Sequence, residues 1–182
     1  MSAHPHAIEA AAGLPNPRCL RDRRLIDVFD RYAGVGSGRR VLEIGRMRSG
    51  WSSFLERERG CEVTGAVPAG LPDDQFDLVF SMGVLDRLER PFRHLKAISR
   101  LVRPGGRVLT IVPNLRAWNR WLQRLGSASA EDGRAMYDPA SLRALHDIAG
   151  FRTVACGHIG FFVSLLSAHL YVVGIRRARC AR

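Results

Sequence analysis

The chain predicts a three-layer α/β fold built on a mostly parallel sheet of about six strands. Two observations carry that expectation. Short apolar runs alternate with segments of helical periodicity along most of the 182 residues, the pattern that gives parallel sheets with helices on both faces. A strand-like run, Val41-Leu42-Glu43-Ile44, leads into Gly45 and then into the helical stretch 51–59. A strand, a glycine turn and a helix N-terminus form the nucleotide-binding corner of an open α/β sheet.

The elements follow in order. In 19–33, Leu25, Val28, Phe29 and Tyr32 share one helical face, and Gly34 to Gly38 ends the helix. Strand one spans 40–45 and the next helix 51–59. Strands at 62–67 and 77–81 come next, with only 68–76 between them. That gap cannot hold a crossover helix and a further strand, which together need a dozen residues or more. Residues 68–75 are therefore expected to be a plain loop. A helix at 91–102 presents Phe92, Leu95, Ile98, Leu101 and Val102. A strand at 107–112 is stopped by Pro113. Leu115, Trp118, Trp121, Leu122 and Leu125 line one face of a further helix, read first as core packing, second as a substrate lid and third as a membrane-surface helix. Pro139 to Ala149 is a helix with Pro at its start and Gly150 past its end. Strands at 151–156 and 169–176 close the chain. The expected organisation is a disordered segment 1–18 and one domain, 19–182.

Composition narrows the function classes. Apolar content of 46% suits a packed core. The net charge of +11 invites a nucleic-acid reading, yet Lys96 is the only lysine and the arginines are scattered. Scatter favours a compositional bias over a nucleic-acid footprint, which is a clustered stripe. Cys19, Cys61, Cys156 and Cys180 form no C-x-x-C pair, so no metal centre is expected. The first residues lack the continuous apolar core of a signal peptide, which points to a cytoplasmic chain with reduced thiols. His4 and His6 fall in the same segment. The uncharged run Ile159 to Ile175 is too short for a span and reads as a loop and a buried strand.

Two segments carry a family resemblance. Val41 to Gly50 resembles motif I of the class I S-adenosylmethionine-dependent methyltransferases, in the type 11-like branch. Phe76 to Leu88, followed by Leu101-Val102-Arg103-Pro104-Gly105-Gly106-Arg107-Val108 and Val112-Pro113-Asn114, resembles that family's fourth strand, its Pro-Gly-Gly turn and its fifth strand. The resemblance covers roughly residues 39–175. It implies S-adenosylmethionine as cofactor, a small-molecule or lipid-linked acceptor, and cofactor contacts from Glu43, Gly45, Ser49, Gly50, Ser81, Met82 and Gly83. His158 is the candidate catalytic residue, with His146 behind it, and Tyr137 stands near the start of a helix that forms part of a substrate lid in relatives or packs in the core.

The chain also departs from the family. It is one helix and one strand shorter. Its glycine loop carries Arg46, Met47, Arg48 and Ser49, and the arginines would favour an anion over a cationic cofactor. Asp86-Arg87 stands where relatives carry Glu-His, which removes a general base. The strand 62–67 matches either the family's second strand, whose acid should fall near Val67, or its third, whose acid should fall near Ala66. Neither position holds a carboxylate. Two functions therefore stand side by side: a working methyltransferase with an altered pocket, and an inactive relative with an eroded pocket that serves as a protein-binding or regulatory partner.

Overall fold

A computed structural model describes residues 14–45, 49–72, 74–114, 135–160 and 169–177. The N-terminal segment, Arg46 to Arg48, the Trp118–Trp121 helix and Cys180 lie outside the described residues.

The described elements are α1 (Leu20–Val28), β1 (Arg40–Ile44), α2 (Gly50–Arg59), β2 (Glu62–Ala66), β3 (Phe76–Met82), α3 (Pro91–Leu101), β4 (Val102–Pro113), α4 (Pro139–Ala149), β5 (Phe151–Ile159) and β6 (His169–Arg176). A π turn, Phe29–Ala33, prolongs α1, and a single 3-10 turn, Leu85–Arg87, follows β3. All six strands join one sheet in the order β2-β1-β3-β4-β6-β5. Parallel pairs join β2, β1, β3 and β4, whereas β6 runs antiparallel to both β4 and β5. Only residues 160–168 separate β5 from β6, fewer than the dozen or more that a parallel crossover needs.

Each face of the sheet buries its own cluster. Leu42, Ile44, Val79, Val108, Val112, Leu170 and Val172 pack with Leu95 and Ile98 of α3 and Leu142 of α4. Val41, Leu78, Phe80, Leu109, Ile111 and Val173 pack with Leu25, Val28 and Phe29 and with Trp51, Phe54 and Leu55 of α2. Alternate residues of the same strands feed opposite clusters, as a pleated strand covered on both faces must arrange. Phe29 and Phe80 meet edge-on with ring centroids 5.5 Å apart, a favoured aromatic geometry.

The short link between β2 and β3 is a loop, and its described residues hold neither helix nor strand. This also resolves which strand is which. β2 follows β1 through α2 and pairs with it directly, residue for residue from Arg40↔Glu62 to Ile44↔Ala66. It is the second strand, and the missing unit lies beyond it, at the edge of the sheet.

Several of the scattered arginines clamp the amino end of the sheet. Asp77, nearly buried, accepts from the Arg40 backbone N–H at 2.9 Å and from Arg39 Nη1 at 2.9 Å, and pairs with Arg103 at 3.0 Å. Burial alone would raise its pKa, but these donors outweigh burial and hold it below the ordinary value. Arg40 also binds Asp74, whose pKa falls to about 2 chiefly through that hydrogen bond.

Pro104, Gly105 and Gly106, expected as a turn ahead of a strand at 107–112, lie inside β4, where its register against β3 shifts, and lock into the same corner. A Cβ on Gly106 would lie 2.9 Å from the carbonyl oxygens of Arg103 and Asp77 and from Val102 Cγ1. Two of these are backbone atoms and cannot rotate away. Gly106→Ala is therefore expected to cost about 1–3 kcal/mol, the range for overpacking. Urea midpoints would show it, and an unchanged midpoint would mean that the segment relaxes freely.

Candidate functional site

In an open parallel sheet, ligands bind outside the carboxyl ends of the strands where the strand order reverses. Here the chain passes from β1 outward to β2, then crosses back to β3 on the other side of β1. The reversal falls between the carboxyl ends of β1 and β3, the place where such sheets take a ligand. Ile44 and Ser81 are register partners across it. The turns above them touch, since a Cβ on Gly45 would lie 3.7 Å from Val84 Cγ2. Glu43, Gly45, Ser49 and Gly50 flank one side, and Ser81, Met82 and Gly83 flank the other. All seven cofactor candidates thus meet at one place.

Local bonds explain why the turn holds. The Gly45 N–H donates to Ala66 O at 3.0 Å, tying the end of β1 to β2. Glu43, only 6% exposed, accepts from the Ser49 N–H at 3.0 Å and from the Ser52 hydroxyl. Its carboxylate therefore ties the end of β1 to the first turn of α2 across the loop. Ser49 Oγ caps α2 by accepting from the Trp51 N–H at 3.2 Å, which satisfies one donor of the helix start. Both of Glu43's bonds fall on Oε2, and Oε1 accepts none among the described residues. On the other side, Ser81 is buried. Gly83 takes φ 62, a left-handed conformation natural to glycine. Its N–H donates to Ile111 O at 2.9 Å.

The second-strand acid is absent. Val67 occupies its place and is 49% exposed. Asp74, in the loop that follows, is engaged with Arg40 at the amino end of the sheet.

The histidines separate. His158 lies near the carboxyl end of β5, but β5 is the outermost strand. Four strand spacings separate it from β1, roughly 19 Å at about 4.8 Å each. It lines a groove of about 520 Å³ between α4 and β5, together with Arg143 and Cys156. That groove is distinct from the place where the motif residues meet. Partial burial lowers the pKa of His158. His146 is fully buried under the sheet. Its Nδ1 lies 2.7 Å from Leu142 O and its Nε2 lies 2.9 Å from Thr110 Oγ1. A carbonyl only accepts, so Nδ1 carries the proton and Nε2 accepts from the threonine hydroxyl. Burial pushes its pKa down to about 4. His146 is thus a neutral clip between α4 and β4.

Tyr137 is buried in the core cluster. Burial first, and the Asp86 carboxylate second, raise its pKa. The Ala135 N–H donates to Asp86 O at 2.8 Å, which anchors the start of this segment to the turn after β3. His94 of α3 is half-buried, and burial lowers its pKa. His169, not among the residues singled out from the sequence, opens β6 at the carboxyl edge, opposite Pro113. The signal that could have found it is the antiparallel ending, which returns the start of the last strand to the ligand-binding end of the sheet. Among the described residues, no cluster of three or more His, Cys, Asp or Glu side chains has the spacing of a metal site.

A strand-turn-helix corner at the switch point, with a buried acid bracing it, is the cofactor corner of a nucleotide-type α/β protein. A family model described as a methyltransferase domain matches residues 19–155, and the chain belongs to that family, whose methyl donor is S-adenosylmethionine. A curated relative, the ubiquinone biosynthesis O-methyltransferase of Aeromonas salmonicida, is 29% identical over 130 residues. Those residues are 64% of this chain but 52% of the relative, so the chain spans about half the length of the protein it matches. Among solved structures, magnesium protoporphyrin IX methyltransferase from Synechocystis, with bound S-adenosylhomocysteine, superposes with a TM-score of 0.66. Identity is 12%, and the match covers 97% of this chain and 90% of that one. A Haloferax volcanii methyltransferase solved with its Trm112 activator gives 0.58 at 15% identity, covering 87% and 90%. These structural likenesses speak to the fold.

Proposed function

We propose that the chain is an S-adenosylmethionine-dependent methyltransferase that acts on a small-molecule or lipid-linked acceptor. The observation that carries this reading is the brace at the switch point: Glu43 ties the end of β1 to the start of α2 through Oε2, and its Oε1 accepts from none of the described residues. Glu43, the backbone of Gly45, Ser49 and Gly50, and the turn Ser81-Met82-Gly83 are the residues that would hold the cofactor. When bound, the cofactor supplies an electrophilic methyl group on a sulfonium. The protein's part in such a transfer is alignment of the acceptor and exclusion of water, which needs no fixed base at Asp86-Arg87. His158 stands as a candidate at the rim of the α4–β5 groove. The curated relative's name as an O-methyltransferase supports an oxygen acceptor. The thiols of Cys19, Cys61 and Cys156 are free, which fits a reducing cytoplasm.

One specific observation favours a second reading. Val67 stands in the ribose-anchoring place and no described carboxylate replaces it, so the pocket is short of a polar anchor. An eroded methyltransferase acting as a protein-binding or regulatory partner would look the same there.

Calorimetric titration with S-adenosylmethionine and S-adenosylhomocysteine separates the two. The first reading expects micromolar binding, about −8 kcal/mol. No heat and no thermal shift would establish the second.

A further inference from the structure

His169 occupies a position that packing alone does not explain. It is the first residue of β6 and pairs with Pro113 on β4 and Ile159 on β5, so it stands on the carboxyl edge of the sheet. Its neighbours in alternation, Tyr171 and Val173, belong to the cluster under α1, as does Met82 at the end of β3. Pleat parity therefore puts His169 and Met82 on one face. The register chain Met82↔Ile111↔Tyr171 sets His169 one pleat above Met82, at the level of the turn after β3. Two strand spacings, roughly 10 Å at about 4.8 Å each, separate β3 from β6. That span lies over the carboxyl end of β4, next to the switch point.

The chemistry of the residue is equally specific. His169 Nδ1 is buried and has no hydrogen-bond partner among the described residues. A buried polar atom left without a partner requires an explanation, because burial normally brings one. Arg21, at the start of α1, is close enough to disfavour the imidazolium. Burial first and Arg21 second hold the pKa at about 4, so the ring is neutral at pH 7. A neutral imidazole can offer a lone pair to a hydroxyl that donates to it.

We propose, resting on the methyltransferase reading above, that His169 Nδ1 receives the acceptor's proton, and that the acceptor presents a phenolic hydroxyl between His169 and Met82. The hydroxyl donates to Nδ1. As the hydroxyl oxygen forms its bond to the methyl carbon, the carbon–sulfur bond breaks and its electron pair stays on sulfur. The O–H proton passes to Nδ1 and then to water. A weak base suffices, because the oxygen's proton becomes strongly acidic as the methyl group arrives. An ammonium-bearing acceptor has no free lone pair on nitrogen until it loses a proton, and a base this weak does not remove that proton before the methyl group arrives.

The test uses the whole chain, with catechol as the phenolic probe and phenethylamine as the amine probe. In protein carrying 13C-labelled histidine and saturated with S-adenosylhomocysteine, catechol should shift the His169 Cε1–H signal and leave those of His146 and His158 in place. His169→Phe should lower kcat/KM for catechol methylation by about 100-fold, at the low end for loss of a proton acceptor, with S-adenosylhomocysteine affinity unchanged. His169→Gln, which keeps an acceptor atom, should restore part of the rate. An unmoved His169 signal, native-like turnover by His169→Phe, or preference for phenethylamine would each overturn the proposal. Absence of S-adenosylhomocysteine binding in the native chain would instead overturn the methyltransferase reading, and the proposal with it.

Discussion

Glu43→Ala is expected to abolish detectable S-adenosylmethionine binding and to lower stability by about 2–4 kcal/mol. The stability loss follows from two donors at the start of α2, one part-buried and one fully buried. Removing the carboxylate strands the Ser49 N–H and the Ser52 hydroxyl, the latter fully buried. Each unsatisfied donor costs about 1–3 kcal/mol, and a small cavity adds to that. For a chain of 182 residues the fall in Tm should be roughly 5–15 °C, at about 2–4 °C per kcal/mol. Glu43→Gln separates the two roles. Its carbonyl can still accept from Ser49 and Ser52, so the turn should hold with a loss of about 1–2 kcal/mol. Its amide nitrogen replaces Oε1 and offers a ligand cation no charge. Affinity for S-adenosylmethionine should then drop about 10-fold or more while the fold persists, since one charge-assisted contact is worth about 1.5–3 kcal/mol. Paired melting curves and titrations of both variants check this. A Glu43→Gln protein that binds as the native one does would make Glu43 purely structural.

The layered sheet was legible from the chain because its periodicities are strong. Pro139 and Gly150 bracket α4 at the bounds that the structure shows, since a residue without an N–H starts a helix cheaply and a residue without a Cβ ends one cheaply. The spacing between Val67 and Asp77 forced a missing unit by length alone. Only the pairing of β2 with β1 could say which strand remained. Edges were less legible: β5 runs on to Ile159 rather than stopping at Cys156, because its pairing with β6 continues through Gly157 and His158. The cofactor corner could be read because its residues are near neighbours along the chain. Long-range pairings could not. Thr110 and His146 meet across 36 positions, and Arg39 and Asp77 across 38. Nothing in local patterning announces such partners. His146 and His158, both possible at the sheet edge from position alone, part company once β5 is seen to be outermost and His146 to lie beneath β4.

The His146 clip predicts how the protein fails in acid. Its folded pKa of about 4 lies below the ordinary 6.5. Between those values the unfolded chain takes up a proton that the folded chain refuses. The contribution is therefore fully present above pH 6.5 and is lost progressively as pH falls toward 4. At about 1.4 kcal/mol per pKa unit the loss is on the order of 3 kcal/mol. His169 is held low in the same way and titrates in the same window, so the two are told apart by substitution. His146→Leu alone should cost about 2–4 kcal/mol at pH 7, because Thr110 Oγ1 loses its acceptor and Leu142 O its side-chain donor inside the core. Adding Thr110→Val removes one of the stranded groups and should recover about half of that loss. Urea midpoints at pH 7, 5.5 and 4.5 supply the measurement. The double variant should lose less stability on acidification than the native protein, by about one proton's worth, and the slope that remains should include His169. If native and double variant fall in parallel, His146 is already protonated in the fold, and the tautomer assigned from Leu142 and Thr110 is wrong.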